Sequence, residues 1–385
     1  MTGRTVAVLT NFLPPYRLPV FRSLRTKVTA LRILVSTRME PNRRWECQWE
    51  DLDVQVQKCL TLPKKWGHPA GFRSDGYVHI PYDTYPSLTR MRPGVVISAE
   101  LGARSLLALL YRKSPGGAQS RLILWATLSE RTEQGRGILR EGLRRLLLRA
   151  ADGVIVNGDS GARYARRLGA RPNRLFRVPY TVEVEQFKHA PLEREPASGL
   201  RLLYVGSLEE RKGVQPFVTA LSRWAELHPE REVEFRIAGS GPLEAWLSSL
   251  TTPPNLSVRL LGQIPYKNLP RVYAECGIFV FPTLADEWGL VVNEAMASGL
   301  PVLGSVYSQA VEELVEDGAN GWVFRPDRSE ELYQALERVF STPAASLYQM
   351  RVNARKRVEK LTPDWVADRI CQVIENVCRS NPTGS

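Results

Sequence analysis

A short apolar strand, a polar loop, a helix and a second short strand follow one another between Ile278 and Ser305, and this order leaves few folds open. Ile278 to Phe281 is an apolar run of buried-strand length. Pro282 and Thr283 end it, and the polar loop Ala285-Asp286-Glu287-Trp288-Gly289 follows. Leu290 to Ser298 is rich in helix formers, with Gly299 and Pro301 just past its end, so a helix is predicted there. Pro301 to Gly304 reads as the next strand. This is a unit of open parallel sheet, in which ligands sit at strand ends and helix N-termini. Glu294 is the anomaly, because its neighbours Val291, Val292, Ala295 and Met296 are apolar. A carboxylate there is costly unless something satisfies it. Two neighbouring sugar hydroxyls would suit its two oxygens; an acid held at a helix start by the dipole is the alternative.

The same alternation runs through the rest of the chain. Strands are predicted at Thr5–Thr10, Leu31–Ser36, Val95–Ser98, Leu122–Trp125 and Gly153–Val156. Helices are predicted at 18–27, 101–113, 137–151 and 160–168. Residues 39–94 read as irregular, with short strands possible at 54–59 and 77–80. Residues 189–199 lose periodicity and read as a linker. The pattern then restarts with strands at 202–205, 233–238 and 257–261 and helices at 214–227, 243–250 and 268–275. A last helix is expected at 364–378, and Asn381 to Ser385 reads as a loose tail. The expected fold is α/β, with two Rossmann-like doubly wound parallel-sheet domains facing a central cleft. The expected domains are 1–190, joined by a C-terminal helix at 364–380, and 198–362.

Charge divides the chain. Residues 1–190 carry 32 Lys and Arg against 15 Asp and Glu, a net of +17. Residues 191–385 carry 20 against 25, a net of −5. The first half therefore calls for an anionic partner: a nucleic acid, an acidic substrate or a membrane surface. No recognised nucleic-acid reading module accompanies the charge, so no nucleic acid is expected. No apolar run approaches the ~18–20 residues that span a bilayer. Residues 1–10 read as a first strand, not a signal peptide. Cys47, Cys59, Cys276, Cys371 and Cys378 lack metal-ligand spacing and read as free thiols of a reducing compartment, which points to the cytoplasm. Asp51-Leu52-Asp53 precedes the alternating run Val54-Gln55-Val56-Gln57 instead of closing a buried strand, so no metal site is assigned to it. The four histidines, His68, His79, His189 and His228, read as surface or loop residues.

Asp286, Trp288-Gly289-Leu290, Glu294-Ala295-Met296-Ala297 and Gly299-Leu300-Pro301-Val302 resemble the E-x7-E region of the retaining family 4 glycosyltransferases, which have the GT-B fold. The resemblance implies that Glu294 holds the ribose of a nucleotide-sugar donor. It places Asp286, where the family has Glu, facing the donor sugar, with Glu287 beside it, and it puts Gly289, Leu290 and Val291 at the donor. Val205 to Gly213 resembles the family's G-R-L-x-x-x-K-G segment, whose Arg and Lys grip the diphosphate. Lys212 matches the Lys; Ser207, after Gly206, stands where the Arg is expected, and Arg211 could substitute. Cations there suit a diphosphate whose charge grows as the sugar leaves. Gly262-Gln263-Ile264 resembles the segment whose backbone meets the nucleotide base. Ala238 to Leu243 resembles a turn of the second domain and reads as structural. The resemblance also implies that the last helix crosses back to the first domain, and that no metal or other cofactor is needed.

The first domain departs from the family. Its first-strand loop, Asn11 to Arg17, has Pro14-Pro15 in place of Gly-Gly, and Arg17 is its candidate for acceptor or phosphate contact. Where relatives carry a His, this chain has Ala126 to Arg131, so Glu130 or Thr127 is the acceptor-side candidate. Arg136, Arg140, Arg144, Arg145 and Arg149 read as a basic face on the helix 137–151, with Leu139, Leu143, Leu146 and Leu147 as its apolar stripe. Such a face suits anionic headgroups, or is simply a solvated outer face. The expectation is a retaining glycosyltransferase acting on a nucleotide diphosphate sugar and a lipid-linked or surface-polysaccharide acceptor, cytoplasmic and peripheral on the inner membrane face. Another GT-B reaction, epimerisation or phosphorolysis, is the alternative, and a basic nucleic-acid-binding protein the distant one.

Overall fold

The structure, a computed structural model, describes residues 2–40, 48–194 and 200–379. Asn381 to Ser385, Cys47 and the end of the expected linker lie outside the described residues. The chain divides into two compact units. One comprises Met1–Gly67, Ser74–Thr181 and Thr362–Ser385, the other His68–Arg73 and Val182–Leu361.

The first unit begins with β1 (Thr2–Thr10), α1 (Leu18–Lys27), β2 (Val28–Val35), β3 (Val54–Val56), β4 (Leu60–Gly67) and β5 (Arg73–Ile80). It continues with α2 (Thr84–Met91), β6 (Val95–Ala99), α3 (Ala103–Lys113), β7 (Arg121–Ala126), α4 (Ile138–Ala150), β8 (Gly153–Val156), α5 (Asp159–Arg167) and β9 (Leu175–Arg177). Its main sheet runs β3-β2-β1-β6-β7-β8-β9, with every pairing parallel. Such strands are apolar on both sides because helices cover both faces. Val6, Val8, Ile33 and Ile97 point to one face, with Phe21 and Leu24 of α1. Ala7, Leu9, Leu34, Val96 and Leu124 point to the other, with Leu109 of α3 and Leu147 of α4. Each such side chain contributes about 1.5–3 kcal/mol by leaving water. The order reverses between β1 and β6, so a crevice opens beyond their C-terminal ends.

Residues 39–94 are more regular than their sequence suggests. β4 pairs with β5 in a separate two-stranded sheet, and α2 follows. Leu60 and Leu62 are exposed on β4 and Val78 on β5, so no buried alternation marks these strands. His79 is buried, with Thr61 on one ring nitrogen and Glu40 at 3.1 Å on the other, and is not the surface residue expected. Asp51 and Asp53, the D-x-D acids, are bonded to Arg22 and Arg32.

The second unit holds β10 (Leu202–Val205), α6 (Val214–Leu227), β11 (Val233–Ala238), α7 (Glu244–Ser248), β12 (Leu256–Gly262), α8 (Leu269–Ala274) and β13 (Ile278–Phe281). Then come α9 (Leu290–Ala297), β14 (Val302–Ser305), α10 (Gln309–Leu314), β15 (Gly321–Phe324), α11 (Ser329–Ser341) and α12 (Ala344–Val358). Its sheet runs β12-β11-β10-β13-β14-β15, again all parallel. Tyr204, Phe235, Ile237 and Val280 pack against Phe217 and Leu221 of α6 and Leu336 and Val339 of α11. The order reverses between β10 and β13, which sets the second crevice at the ends of those strands.

The closing helix, α13 (Pro363–Arg379), belongs to the first unit although it follows the second in sequence. Ile370, Val373 and Ile374 join the core under α1, and Lys27 meets Asp364 at 2.9 Å and Asp368 at 2.8 Å. Those exposed pairs contribute little; the apolar contact holds the helix. Among the described residues no helix is long and apolar enough to cross a membrane.

Candidate functional site

At the reversal point of the second sheet, the loop after β10 meets the loop after β13. Gly213 makes the approach possible. Its φ is +68°, and a Cβ there would lie 2.1 Å from the Pro282 carbonyl oxygen, so only glycine brings the backbones this close. Gly289 does the same at the start of α9: its φ is +106°, and a Cβ would meet the Phe281 ring at 2.6 Å.

Between these glycines the charged side chains converge. Lys212 Nζ lies 2.5 Å from Asp286 Oδ2, and Arg211 Nη1 lies 3.6 Å from the same oxygen. The Trp288 amide donates to Asp286 Oδ1 at 3.3 Å. Arg211 also bonds Glu209 at 3.0 Å, and the Lys212 ammonium lies 5.5 Å from the centre of the Phe281 ring. Burial pushes the Asp286 carboxyl up, but Lys212 and Arg211 together pull it below its ordinary value. Burial, with the like charge of Arg211, lowers the Lys212 ammonium. Asp286 is therefore a carboxylate held by two cations, one of which is shared with Glu209.

Glu294 lies on α9 and is buried, at 4% exposure. The Tyr273 hydroxyl donates to its Oε2 at 2.9 Å, and the Tyr266 hydroxyl bonds it as well. Burial raises its carboxyl to about 7 even though both phenols favour the ionised form. Tyr273, on α8, is buried; Tyr266 is exposed and follows Gly262-Gln263-Ile264 at the end of β12. Gly262 has φ +66° and accepts from the Gly239 amide at 2.8 Å. The three segments singled out in the sequence, 206–213, 262–264 and 286–294, thus all lie at the C-terminal side of one sheet. Gly206 and Ser207 begin the first loop; the Ser207 carbonyl accepts from the Tyr204 hydroxyl at 2.8 Å. Glu287 is exposed, and its carbonyl accepts from Gln309 at 2.6 Å. Leu290 and Val291 open α9 half-buried. Nothing in the sequence marks the two phenols, because a tyrosine before a buried strand looks like any core residue.

The first unit separates its candidates. The Arg17 guanidinium lies 5.0 Å from the Trp125 ring centre and 4.9 Å from that of Tyr180, and it bonds the Tyr180 hydroxyl. The Glu130 carboxylate is exposed and bonded to Arg163 at 2.7 Å. At the reversal of the first sheet stand Asn11, directly after β1, and Glu100, directly after β6. The Asn11 amide donates to Glu100 Oε1, and its carbonyl accepts from the buried Arg104 at 2.6 Å. Glu100 has φ +69°, a left-handed conformation that costs a residue with a side chain roughly 1–2 kcal/mol. An acid immediately after the buried run Val95–Ala99 was the sequence signal for it.

The basic face expected of α4 does not form as a single outward stripe. Arg144 is buried, bonded to the buried Glu133 and, at 2.9 Å, to the Tyr164 hydroxyl. The inward face is Arg144, Leu147 and Leu148. Leu139 is 92% exposed, Ile138 89% and Leu146 49%, so two of the four leucines of the expected stripe point outward. The register turned because Glu133, outside the helix, pairs with Arg144 and draws it in. The outward face therefore mixes Ile138, Leu139 and Leu146 with Arg145 and Arg149.

Residues 199–342, the core of this second unit, match the family described as Glycosyl transferases group 1. That segment is similar to a group 1 glycosyltransferase domain. Over 212 residues the chain is 31% identical to the alpha-D-kanosaminyltransferase of Streptomyces kanamyceticus, covering 52% of this chain and 54% of that one. It spans about half the length of the curated relatives it matches first. Among solved structures, the apo lipopolysaccharide outer core galactosyltransferase WaaB superposes with a TM-score of 0.72 at 15% identity, over 96% of this chain and 99% of that one. HepE from Anabaena in complex with UDP superposes with a TM-score of 0.69 at 14% identity, over 96% and 99%. The fold is GT-B, with two Rossmann-like parallel-sheet domains. Among the described residues no group of three or more His, Cys, Asp or Glu could hold a metal ion.

Proposed function

We propose that the protein is a retaining glycosyltransferase that moves a sugar from a nucleotide diphosphate sugar to an acceptor hydroxyl. The observation that carries this is the convergence of Lys212, Arg211 and Asp286 where β10 and β13 part, with Glu294 on the helix that follows. The UDP complex of HepE supports a nucleotide donor. Lys212 and Arg211 face the diphosphate and stabilise the charge that grows on it as the bond to the sugar breaks. Asp286 faces the sugar. Glu294, once ionised, accepts both ribose hydroxyls, and Gly262-Gln263-Ile264 meets the base. Gly206 and Ser207 line the phosphate side, and Glu287, Gly289, Leu290 and Val291 the sugar side. In the reaction the acceptor oxygen bonds the anomeric carbon, the carbon–phosphate oxygen bond breaks, and the acceptor proton passes to the departing diphosphate. No protein base is required for that balance, and no resident metal or cofactor is invoked.

The acceptor in this reading is lipid-linked and meets the protein at an anionic membrane surface, as a precursor of a surface polysaccharide or glycolipid. The outward face of α4 supports it: exposed apolar side chains flanked by Arg145 and Arg149 suit the headgroup–acyl boundary. The protein works in the cytoplasm in this reading. A thermal-shift panel of UDP-, GDP- and ADP-sugars tests the donor, since a ligand that binds only the folded state raises Tm. One member should raise Tm, and its turnover should give an α-linked product from an α-linked donor by NMR. No shift with any member, or turnover that needs no acceptor, overturns the reading.

A further inference from the structure

The two crevices of this chain are built alike. In the second unit a donor on the loop after β10, Lys212, meets a carboxylate on the loop after β13, Asp286. In the first unit a donor directly after β1, Asn11, meets a carboxylate directly after β6, Glu100. Both pairs stand where the strand order reverses, which is where open α/β sheets bind ligands.

The Glu100 pair differs in one respect that points to a ligand. Glu100 is exposed, and its Oε2 accepts no hydrogen bond from any described residue. Its backbone is fixed at φ +69°, with the carbonyl accepting from the Ser105 hydroxyl and the amide donating to the Trp125 carbonyl at 3.4 Å. Beneath it, Asn11 is held by Arg104, a buried guanidinium bonded to Asn11, the Ser36 hydroxyl and the Ala99 carbonyl at 3.3 Å. No carboxylate forms an ion pair with Arg104 among the described residues, and its Nε has no partner there. A strained backbone is kept where the surroundings over-determine it, and such positions cluster at ligand sites. Here the strain presents an oxygen with open acceptor capacity at the sheet's reversal point.

We propose that Glu100 is an acceptor-recognition residue, whose carboxylate takes a hydroxyl or ammonium group of the sugar that is to be glycosylated. Asn11 and Arg104 are positioning residues that orient it. The proposal rests on the reading of the chain as a glycosyltransferase. It sets the acceptor end in the first unit, on a residue that motif reading passes over. A carboxylate accepts and does not donate, so the acceptor must offer donors at this point.

Saturation-transfer NMR on the full chain tests it, with methyl α-D-glucoside and its 2-amino-2-deoxy counterpart as probes and UDP as a control. At least one sugar should bind. Glu100→Gln should weaken that sugar by about 10- to 150-fold, the loss of a charge-assisted hydrogen bond, and leave UDP binding unchanged. Glu100→Gly removes the side chain at a φ glycine adopts freely, so it should fold at least as well and bind neither sugar. A preference for the amino sugar that vanishes in Glu100→Gln identifies an ammonium; equal loss for both identifies hydroxyls. If neither sugar binds, or if the folded variants bind as the wild type does, the assignment is overturned. Sugar binding that depends on Glu100 in a protein with no affinity for any nucleotide would sink the transferase reading and leave the sugar site standing.

Discussion

The Lys212 ammonium stands 2.5 Å from the Asp286 carboxylate although 74 residues separate them in sequence. The contact exists because Gly213 lets its loop press against Pro282. In the proposed reaction a diphosphate entering this crevice competes with Asp286 for the same ammonium. Lys212→Ala should therefore slow sugar transfer by about 10²-fold at saturating donor, the loss of one preorganised donor at the developing charge. Lys212→Arg should restore part of the rate. Arg211→Ala should cost less, since Arg211 lies further from Asp286 and is shared with Glu209. Single-turnover rates measure all three, and a wild-type rate for Lys212→Ala would place the diphosphate elsewhere.

If Glu294 holds the ribose as proposed, donor binding should depend on pH. The Glu294 carboxyl is raised to about 7 by burial, above the ordinary Glu value near 4.3. Two ribose hydroxyls need the ionised form, so affinity for the nucleotide should rise with pH up to and through about 7 and level off above. Stability should move the other way. The folded state holds a proton that the unfolded state has lost, so this group's contribution is full below about pH 4 and falls away as pH rises through 7. The loss is on the order of 3 kcal/mol. Glu294→Gln should flatten both profiles and weaken the nucleotide by about 10- to 150-fold. Calorimetric titration of UDP between pH 5.5 and 8.5, in steps of about one unit set by the shift, reads the first; urea denaturation reads the second. A pH-independent affinity in the wild type would remove Glu294 from the ribose.

Losing either phenol should raise the midpoint of that profile, since both favour the ionised Glu294, but the two variants should differ above it. Tyr273 is buried, and its hydroxyl stabilises the ionised Glu294. Tyr273→Phe should therefore shift the pH midpoint for nucleotide binding upward and weaken binding near neutrality. Tyr266 is exposed and occupies acceptor capacity that the ribose would use. Tyr266→Phe should leave nucleotide affinity unchanged or tighten it at pH values above the midpoint. Equal weakening by both variants at every pH would mean that the phenols only support the fold.

Much of this was legible because it was local. α6 and α1 have the bounds their sequence predicts, since each carries its own apolar period. The unit from β13 to β14 was legible from Pro282, Gly299 and Pro301. The acid and the base of the second crevice were each visible, but their pairing is tertiary. What stayed hidden has no local period. β4 exposes both Leu60 and Leu62. The register of α4 depends on Glu133, a residue before the helix that captures Arg144. The phenols on Glu294 come from residues 21 and more positions away, and nothing in their neighbours marks them.

That corrected register decides how the membrane prediction is tested. Arg144 is no part of a lipid-facing surface. Arg144→Gln should lower stability by about 3–5 kcal/mol, because it leaves the Glu133 carboxylate buried with its main partner gone. Its vesicle binding, measured below the melting transition, should stay normal. The outward face is the one to change. Arg145 and Arg149 supply charge, at about 1 kcal/mol each near an anionic surface. Leu139 and Leu146 supply apolar area. Arg145→Gln with Arg149→Gln should weaken sedimentation with anionic vesicles and reduce its salt dependence. Leu139→Ser with Leu146→Ser should weaken it with little change in salt dependence. Wild-type protein should bind anionic vesicles well, neutral ones poorly, and be released as salt shortens the Debye length below ~10 Å. Equal sedimentation with neutral and anionic vesicles, or unchanged binding in both double variants, would exclude this face and turn the search toward a soluble acceptor.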